Sequence, residues 1–431
     1  MRKFNLRKMF YFVVLLCLTV TTLQGGWNAA QAAKLEKSVI KVGYVGGMNF
    51  IFGKQMLQAA QDAAEEINKA GGVLGSKIEI VSADSGLTAA GANSAIAKLV
   101  TSDNVDYLIG GYTSEEATAF QSAAEKFKKV SFIHITTNRF DESYLRNPEA
   151  HKYIFAVSAS ESVTVDAQSD FLPYIVKHLK NELNLKKINV ALISDNALWT
   201  VNIDKMIQDT FAKYKNDVNL VYHSKPARNA TDFTTEISEM LKRDVQLVFV
   251  FGGYGSVIPL TKQFQETKVP ALLTGSIVLA MTPDNYTKAV GPGNAAYVLS
   301  AGVGTEVASA RDAKMVKAFK TKHVEYPGHY AVEGYNMIKA LANGLEKAGT
   351  MNADKLSSAI ERSVIPAEQA WGGAVVFKNH RTAFDYDLNK GMRIYIMQYT
   401  AEGDKTVLVF PEKGATAKIQ IPAHMYKKWK K

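Results

Sequence analysis

Three segments set glycine beside hydroxyl or aromatic side chains where short β-branched runs end: Gly46-Gly47, Gly110-Gly111-Tyr112-Thr113-Ser114 and Gly252-Gly253-Tyr254-Gly255. Glycine lets a ligand approach the backbone, and a helix beginning just after such a turn offers free N–H groups to an anion. The chemistry these segments suit is therefore capture of a carboxylate. Any one of these glycine turns could serve only a tight strand-to-helix connection; their recurrence at three comparable places favours binding. Covalent chemistry has no such support, because the sequence contains no G-x-G-x-x-G, Walker A, G-x-S-x-G or H-E-x-x-H pattern. Its eight histidines are scattered, and the nearest pair, His323 and His329, straddles a Pro-Gly turn. No catalytic residue, metal site or cofactor is expected from these spacings.

The elements that would carry those loops alternate. Short apolar runs such as 38–45, 77–82, 107–109 and 131–135 are separated by amphipathic stretches such as 53–69, 88–101 and 114–128, the signature of parallel βαβ units. After a run at 153–157 the alternation restarts with a helical stretch at 162–183 and runs at 187–194, 219–223, 247–251 and 270–274, so two α/β blocks are expected. A run at 295–301, helical stretches at 310–322, 330–347 and 353–361 and a β-rich end over 373–409 follow.

Composition narrows the class. The 431 residues are 47% apolar and 21% charged, as in an ordinary folded chain of two to three domain equivalents. Arg2, Lys3, Arg7 and Lys8, the apolar run Phe10 to Leu18, and Ala30-Gln31-Ala32 read as a cleavable secretory signal peptide over residues 1–32. The apolar run is about half the ~20 residues needed to span a bilayer. Cys17, the sole cysteine, falls inside that run, so the 399 residues left after cleavage hold none, and neither disulfides nor thiol chemistry are expected. Removing the four basic leader residues takes the net charge from +10 to +6, and four more lysines stand in the C-terminal Tyr426 to Lys431, expected to be solvated at a frayed end. The near-neutral body excludes a nucleic-acid footprint spread over one face.

The run Ile40 to Gly47 with Phe52-Gly53, and above all Ala63 to Asp84, reading AAEEINKAGGVLGSKIEIVSAD, resembles the leucine/isoleucine/valine-binding family of periplasmic solute-binding proteins. Further similar runs are Ala97 to Asp106, Gly110 to Ser114, Ala230 to Phe233, Val248 to Tyr254 and Gly334-Tyr335. The resemblance implies a type I periplasmic-binding fold. Two Rossmann-like lobes with parallel sheets, residues 38–157 with 302–365 and 158–301 with 372–431, would be joined by three hinge crossings near 157–159, 301–303 and 366–372. It also implies a monomeric, non-enzymatic periplasmic subunit that closes on a small-molecule ligand and hands it to an ABC permease. A periplasmic sensor of an amide, urea or aromatic acid, and a hydrolase using the cleft, are the alternatives.

Carried over residue by residue, the resemblance places the ligand carboxylate at Thr113 and Ser114 and at Thr136, Thr137 and Asn138. It places the ligand amine near Glu161, with Trp199 and Tyr254 packing over the solute and Phe52 in a cleft loop. One departure stands out. Ile277 occupies the position where the family carries a carboxylate that completes ammonium binding. With Phe50, Phe52, Tyr112, Phe140, Trp199 and Tyr254 all in expected cleft loops, this departure admits an aromatic or branched organic acid beside a branched-chain amino acid. Glu161 would instead favour a ligand bearing a donor.

Overall fold

β1 (Val39–Gly46) is buried along nearly its whole length, as a strand covered by helices on both sheet faces must be. The computed structural model that shows this describes residues 34–430; the expected leader, its cleavage site and Cys17 lie outside them. From β1 the chain runs through α1 (Ile51–Lys69), β2 (Lys77–Asp84), α2 (Ala89–Thr101), β3 (Tyr107–Gly110), α3 (Ser114–Phe127), β4 (Ser131–Ile133), α4 (Arg139–Arg146), α5 (Pro148–His151) and β5 (Ile154–Ala156). The second block comprises α6 (Glu161–Leu183), β6 (Ile188–Ser194), α7 (Val201–Lys213), β7 (Val218–Ser224), α8 (Thr234–Lys242), β8 (Leu247–Gly252), α9 (Tyr254–Glu266), β9 (Leu272–Ile277), α10 (Pro283–Val290), α11 (Pro292–Ala295) and β10 (Leu299–Gly302). The chain then adds α12 (Ala310–His323), α13 (His329–Ala348), α14 (Ala353–Glu361), β11 (Val364–Ile365), β12 (Val375–Lys378), β13 (Arg381–Thr382), β14 (Tyr395–Tyr399), β15 (Thr406–Phe410) and α15 (Ala423–Trp429).

The expected α/β class holds. Sheet one has the order β11-β12-β13-β5-β4-β3-β1-β2, and its β1 to β5 core is wholly parallel. Sheet two, β7-β6-β8-β9, is parallel throughout, and β10-β14-β15 is a small antiparallel sheet. In both parallel sheets the strand order reverses beside the first strand of the block, β1 and β6, and crevices outside the carboxyl ends of strands at such reversals are where open α/β sheets take ligands.

Two glycines are required by close approach. A Cβ on Gly334 of α13 would lie 2.2 Å from the Met56 carbonyl oxygen of α1, so the two helices meet backbone to side-chain-free backbone. Gly110, at φ +129, would place a Cβ 2.0 Å from the Val45 oxygen. The buried Gln55 of α1 then fixes the entry to α13, donating to the Tyr326 carbonyl at 2.9 Å and accepting from the Gly328 N–H at 2.9 Å.

The third return differs from expectation. Residues 366–372 do not lead back to the second block: Asn336 of α13 accepts from the Trp371 N–H and donates to its carbonyl, and the Trp371 indole N–H donates to the Gly304 carbonyl at 2.8 Å. β12 and β13 then extend sheet one, β13 pairing parallel with β5. The chain therefore leaves sheet one only after Thr382, and residues 383–394 make the passage to β14. The C-terminal end is not frayed either. α15 buries Met425, and the Trp429 indole N–H donates to the Pro270 carbonyl at 2.7 Å.

His380, at the β12–β13 turn, stacks on Phe155 with ring centroids 4.2 Å apart and sits 2.9 Å, through Nδ1, from the Ile154 carbonyl. Burial pushes its pKa down to about 4 from 6.5. Between these values the unfolded chain binds more protons, so the stability this buried neutral ring carries is complete above about pH 6.5 and is lost as pH falls toward 4. Its nearest acidic neighbour, Glu361, is itself pushed upward by burial, which acts in the opposite sense. Thermal melts from pH 7 to 4.5 are expected to show falling stability, and His380→Phe to flatten that slope by up to ~3 kcal/mol; an unchanged slope in the variant would remove His380 as its source.

Candidate ligand-binding site

A cavity of about 110 Å³ opens between the carboxyl ends of the two parallel sheets. One water needs only ~10–15 Å³ of such space, so it has room for a compact solute and none for a folded peptide. All three passages between the blocks border it, through Ser158 and Ala159, Ala301 to Val303, and Phe384, Met392 and Ile394.

Of the residues expected at the site, Tyr112, Thr113, Ser114, Thr136 and Trp199 line this cavity. The loop that carries the first three is pinned by Glu116. Its carboxylate accepts the Tyr112 N–H at 3.0 Å, the Thr113 N–H at 2.8 Å and the Ser85 hydroxyl, while the Glu116 N–H donates to Thr113 Oγ1. This capping box satisfies both ends of the first helical turn. It leaves the N–H groups of Ser114 and Glu115 without an acceptor among the described residues, at the positive end of the α3 dipole. Opposite, Asp195 at the end of β6 accepts the Gly253 N–H at 2.7 Å and the Ser256 hydroxyl, with its carboxyl pushed upward chiefly by burial.

The other expected residues have different work. Phe52 lies behind the lining, stacked on Tyr112 at 5.7 Å and tilted against Tyr330 at 4.9 Å. Thr137 is buried, and its carbonyl faces Arg381. Asn138 donates its side-chain amide to Ser162 and its N–H to Glu161. Glu161, expected near a ligand amine, is fully buried outside the lining and accepts from the Asn138 N–H at 2.8 Å and the Asn202 amide at 2.9 Å. Those donors already surround it. Ile277 is packed in the core while its neighbours Ser276 and Val278 reach the cavity. The side chain of Tyr254, first residue of α9, lies outside the described residues.

Sequence reasoning missed much of the wall. Arg228 enters from the loop after β7, its guanidinium 3.9 Å from Glu115 across the cavity. Tyr330 lies 5.0 Å from Tyr112, and burial raises both phenols, which keeps them neutral. Met281, Phe384, Met392 and Ile394 add apolar surface. His134, at the end of β4, places Nδ1 2.7 Å from Glu333 Oε2, and His329 stands one helical turn before Glu333. The His329–Glu333 spacing was visible in sequence; its meeting with His134 was not.

Behind the wall, Arg381 holds several of these pieces. Its buried guanidinium donates to Asp141 at 2.6 Å, to the Ile135 and Ser158 carbonyls at 2.7 and 3.0 Å, and to Thr137 at 3.4 Å, with its plane over Phe140. Burial lowers its pKa, opposed by Asp141. Removing it leaves the Ser158 carbonyl without its donor, takes one of two donors from each of the Ile135 and Thr137 carbonyls, and unpairs the half-buried Asp141. Arg381→Met is expected to cost ~3 kcal/mol in denaturant unfolding and to loosen Thr136 and Ser158; a loss under ~1 kcal/mol would show that these loops hold without it.

The known proteins this chain is similar to share its architecture. The family profile described as periplasmic binding protein matches residues 40–404. Leu/Ile/Val-binding protein homolog 3 of Brucella melitensis is 24% identical over 329 residues, 74% of this chain and 82% of that protein. The leucine-, isoleucine-, valine-, threonine- and alanine-binding protein of Pseudomonas aeruginosa is 24% identical over 324 residues, 72% and 78% of the two chains. Among solved structures, a branched-chain amino acid transporter substrate-binding protein from Streptococcus pneumoniae, in complex with isoleucine, superposes with a TM-score of 0.68 at 20% identity, covering 89% of this chain and 100% of that one. A solute-binding protein of an ABC transporter from Rhodopseudomonas palustris, in complex with 3,4-dihydroxybenzoic acid, does so with a TM-score of 0.68 at 20% identity, covering 84% and 93%. At these identities the structural likeness is one of fold. With the profile spanning most of its length, the chain belongs to the periplasmic binding protein family.

Proposed function

We propose that the chain is the exported solute-binding subunit of an ABC importer, and that it captures a small carboxylic acid with an aromatic or branched apolar body and releases it unchanged to a membrane permease. The observation that carries this reading is the two-ended chemistry of the cavity. The free N–H groups of Ser114 and Glu115 and the Arg228 guanidinium offer a carboxylate its charge-assisted donors, while Tyr112, Trp199, Tyr330, Phe384 and Met281 supply apolar wall. The three passages bordering the cavity would serve as hinges for closure. Among the described residues no helix is long and apolar enough to cross a membrane.

Glu161, the carboxylate expected near a ligand amine, is spent inside the fold, and Ile277 supplies no carboxylate in the family's other amine position, which favours an acid without an amine. Branched-chain amino acids are the second reading, because Glu115 and Glu333 still present carboxylates to the cavity and because relatives are named for those ligands.

Calorimetry of the mature chain against benzoate-class acids, branched 2-oxo acids and leucine, isoleucine and valine tests both. At least one acid is expected to bind tighter than ~1 mM, with Arg228→Ala weakening it by ~1–3 kcal/mol without lowering the melting temperature. No ligand below that threshold would remove the transport reading; amino acids binding at least ~tenfold tighter than their deaminated counterparts would shift it to the second.

A further inference from the structure

Three side chains in the cavity wall form a group that solute capture leaves unexplained. His329 and Glu333 lie one turn apart on the first turns of α13, whose start is fixed by Gln55, and His134 closes on them from the end of β4, 199 residues away from Glu333 in sequence. One nitrogen or oxygen from each lies within 4.8 Å of the other two. His134 and Glu333 are almost fully buried. Glu333 has one hydrogen-bond partner among the described residues, His134, and the buried His329 Nδ1 has none. A buried imidazole nitrogen without a partner, beside a buried carboxylate with only one, is the arrangement that calls for an ion or ligand not yet in place.

We propose that His134, His329 and Glu333 bind a divalent transition-metal ion such as Zn²⁺, with its remaining coordination position open to the cavity. Two imidazoles and one carboxylate are a donor set suited to such ions, whereas Ca²⁺ and Mg²⁺ prefer more numerous oxygen ligands. Donors around a tetrahedral zinc stand ~3.3 Å apart at ~2.0 Å bond lengths, so side-chain adjustments of an ångström or so gather these three. The expectation of no metal site rested on spacing along the chain; His134 joins the other two only through the fold. With two neutral imidazoles and one carboxylate, the bound ion keeps a net positive charge at the cavity, where a solute carboxylate can complete its shell. That last step rests on the solute-binding reading; the ion site itself does not.

The test is calorimetry of chelator-treated mature chain with ZnCl₂ alone, with MgCl₂ and CaCl₂ as controls, and metal content by mass spectrometry. The wild type is expected to take up one equivalent of Zn²⁺ with micromolar or tighter affinity and neither control ion. His329→Ala and Glu333→Gln are expected to weaken uptake at least ~100-fold at unchanged melting temperature. Wild-type uptake well below one equivalent overturns the proposal whatever the variants do, and so does undiminished uptake in folded variants, which places the ion on other histidines. A carboxylic acid found by the solute screen is expected to bind at least ~tenfold tighter with Zn²⁺ present. Equal affinity with and without the ion overturns the open coordination position. Zinc uptake without any solute would count against the transport reading alone, and solute binding without zinc uptake against the metal alone.

Discussion

The cavity depends on one buried guanidinium. Arg381 sits where the third late strand joins sheet one, and from there it fills the acceptors of the loop after β4 and of the first passage between the blocks. Both segments have bent away from their sheets, so their carbonyls find partners off the ladder: that of Ile135 takes the Ser158 hydroxyl besides Arg381, and that of Thr137 the Phe140 N–H. A planar group with five donors can answer several of them together, and its charge is answered by Asp141 and by the face of Phe140. A lysine could not reach the same set from one position. Thr136 and Ser158 therefore face the cavity from backbone that this one side chain braces.

The other walls follow the same economy of buried charge. Glu116 and Asp195 brace comparable turns, β3 into α3 and β8 into α9, Glu116 taking two N–H groups and the Ser85 hydroxyl, Asp195 the Gly253 N–H and the Ser256 hydroxyl. Their carboxylates are spent on backbone and are not available to a ligand. At the first of these turns the residues just beyond it, Ser114 and Glu115, line the cavity, which separates groups that shape the site from groups that touch what it holds.

The alternation of strands and helices, the restart into a second block and the strand-end loops of the first were legible because periodicity reports burial directly. The hydroxyl loop at Thr113 and Ser114 was legible for the same reason, since it lies between two strongly patterned elements. The errors share a different cause. Glu161 was set beside the ligand by resemblance to the family alone, and only the fold shows Asn138 and Asn202 converging on it. The third passage was misplaced because β12 and β13 are too short to show a period, and what holds residues 366–372 in place is the polar pairing of Trp371 with Asn336. Arg228, Arg381 and His134 belong to no motif, and their partners lie far along the chain.

The passage through residues 383–394 has a consequence for the order in which the molecule can be made. Phe384, Met392 and Ile394 are wall residues, and Arg381 bonds Ile135 across a sequence separation of 246. Most strand pairs of both sheets join near neighbours and can form while the rest of the chain is still emerging. The cavity cannot, because no portion ending before residue 394 contains its full lining. Each half of the molecule can be shaped early, but the pocket is among the last features to exist, so no partial chain, however well its strands have paired, has anything with which to hold a solute.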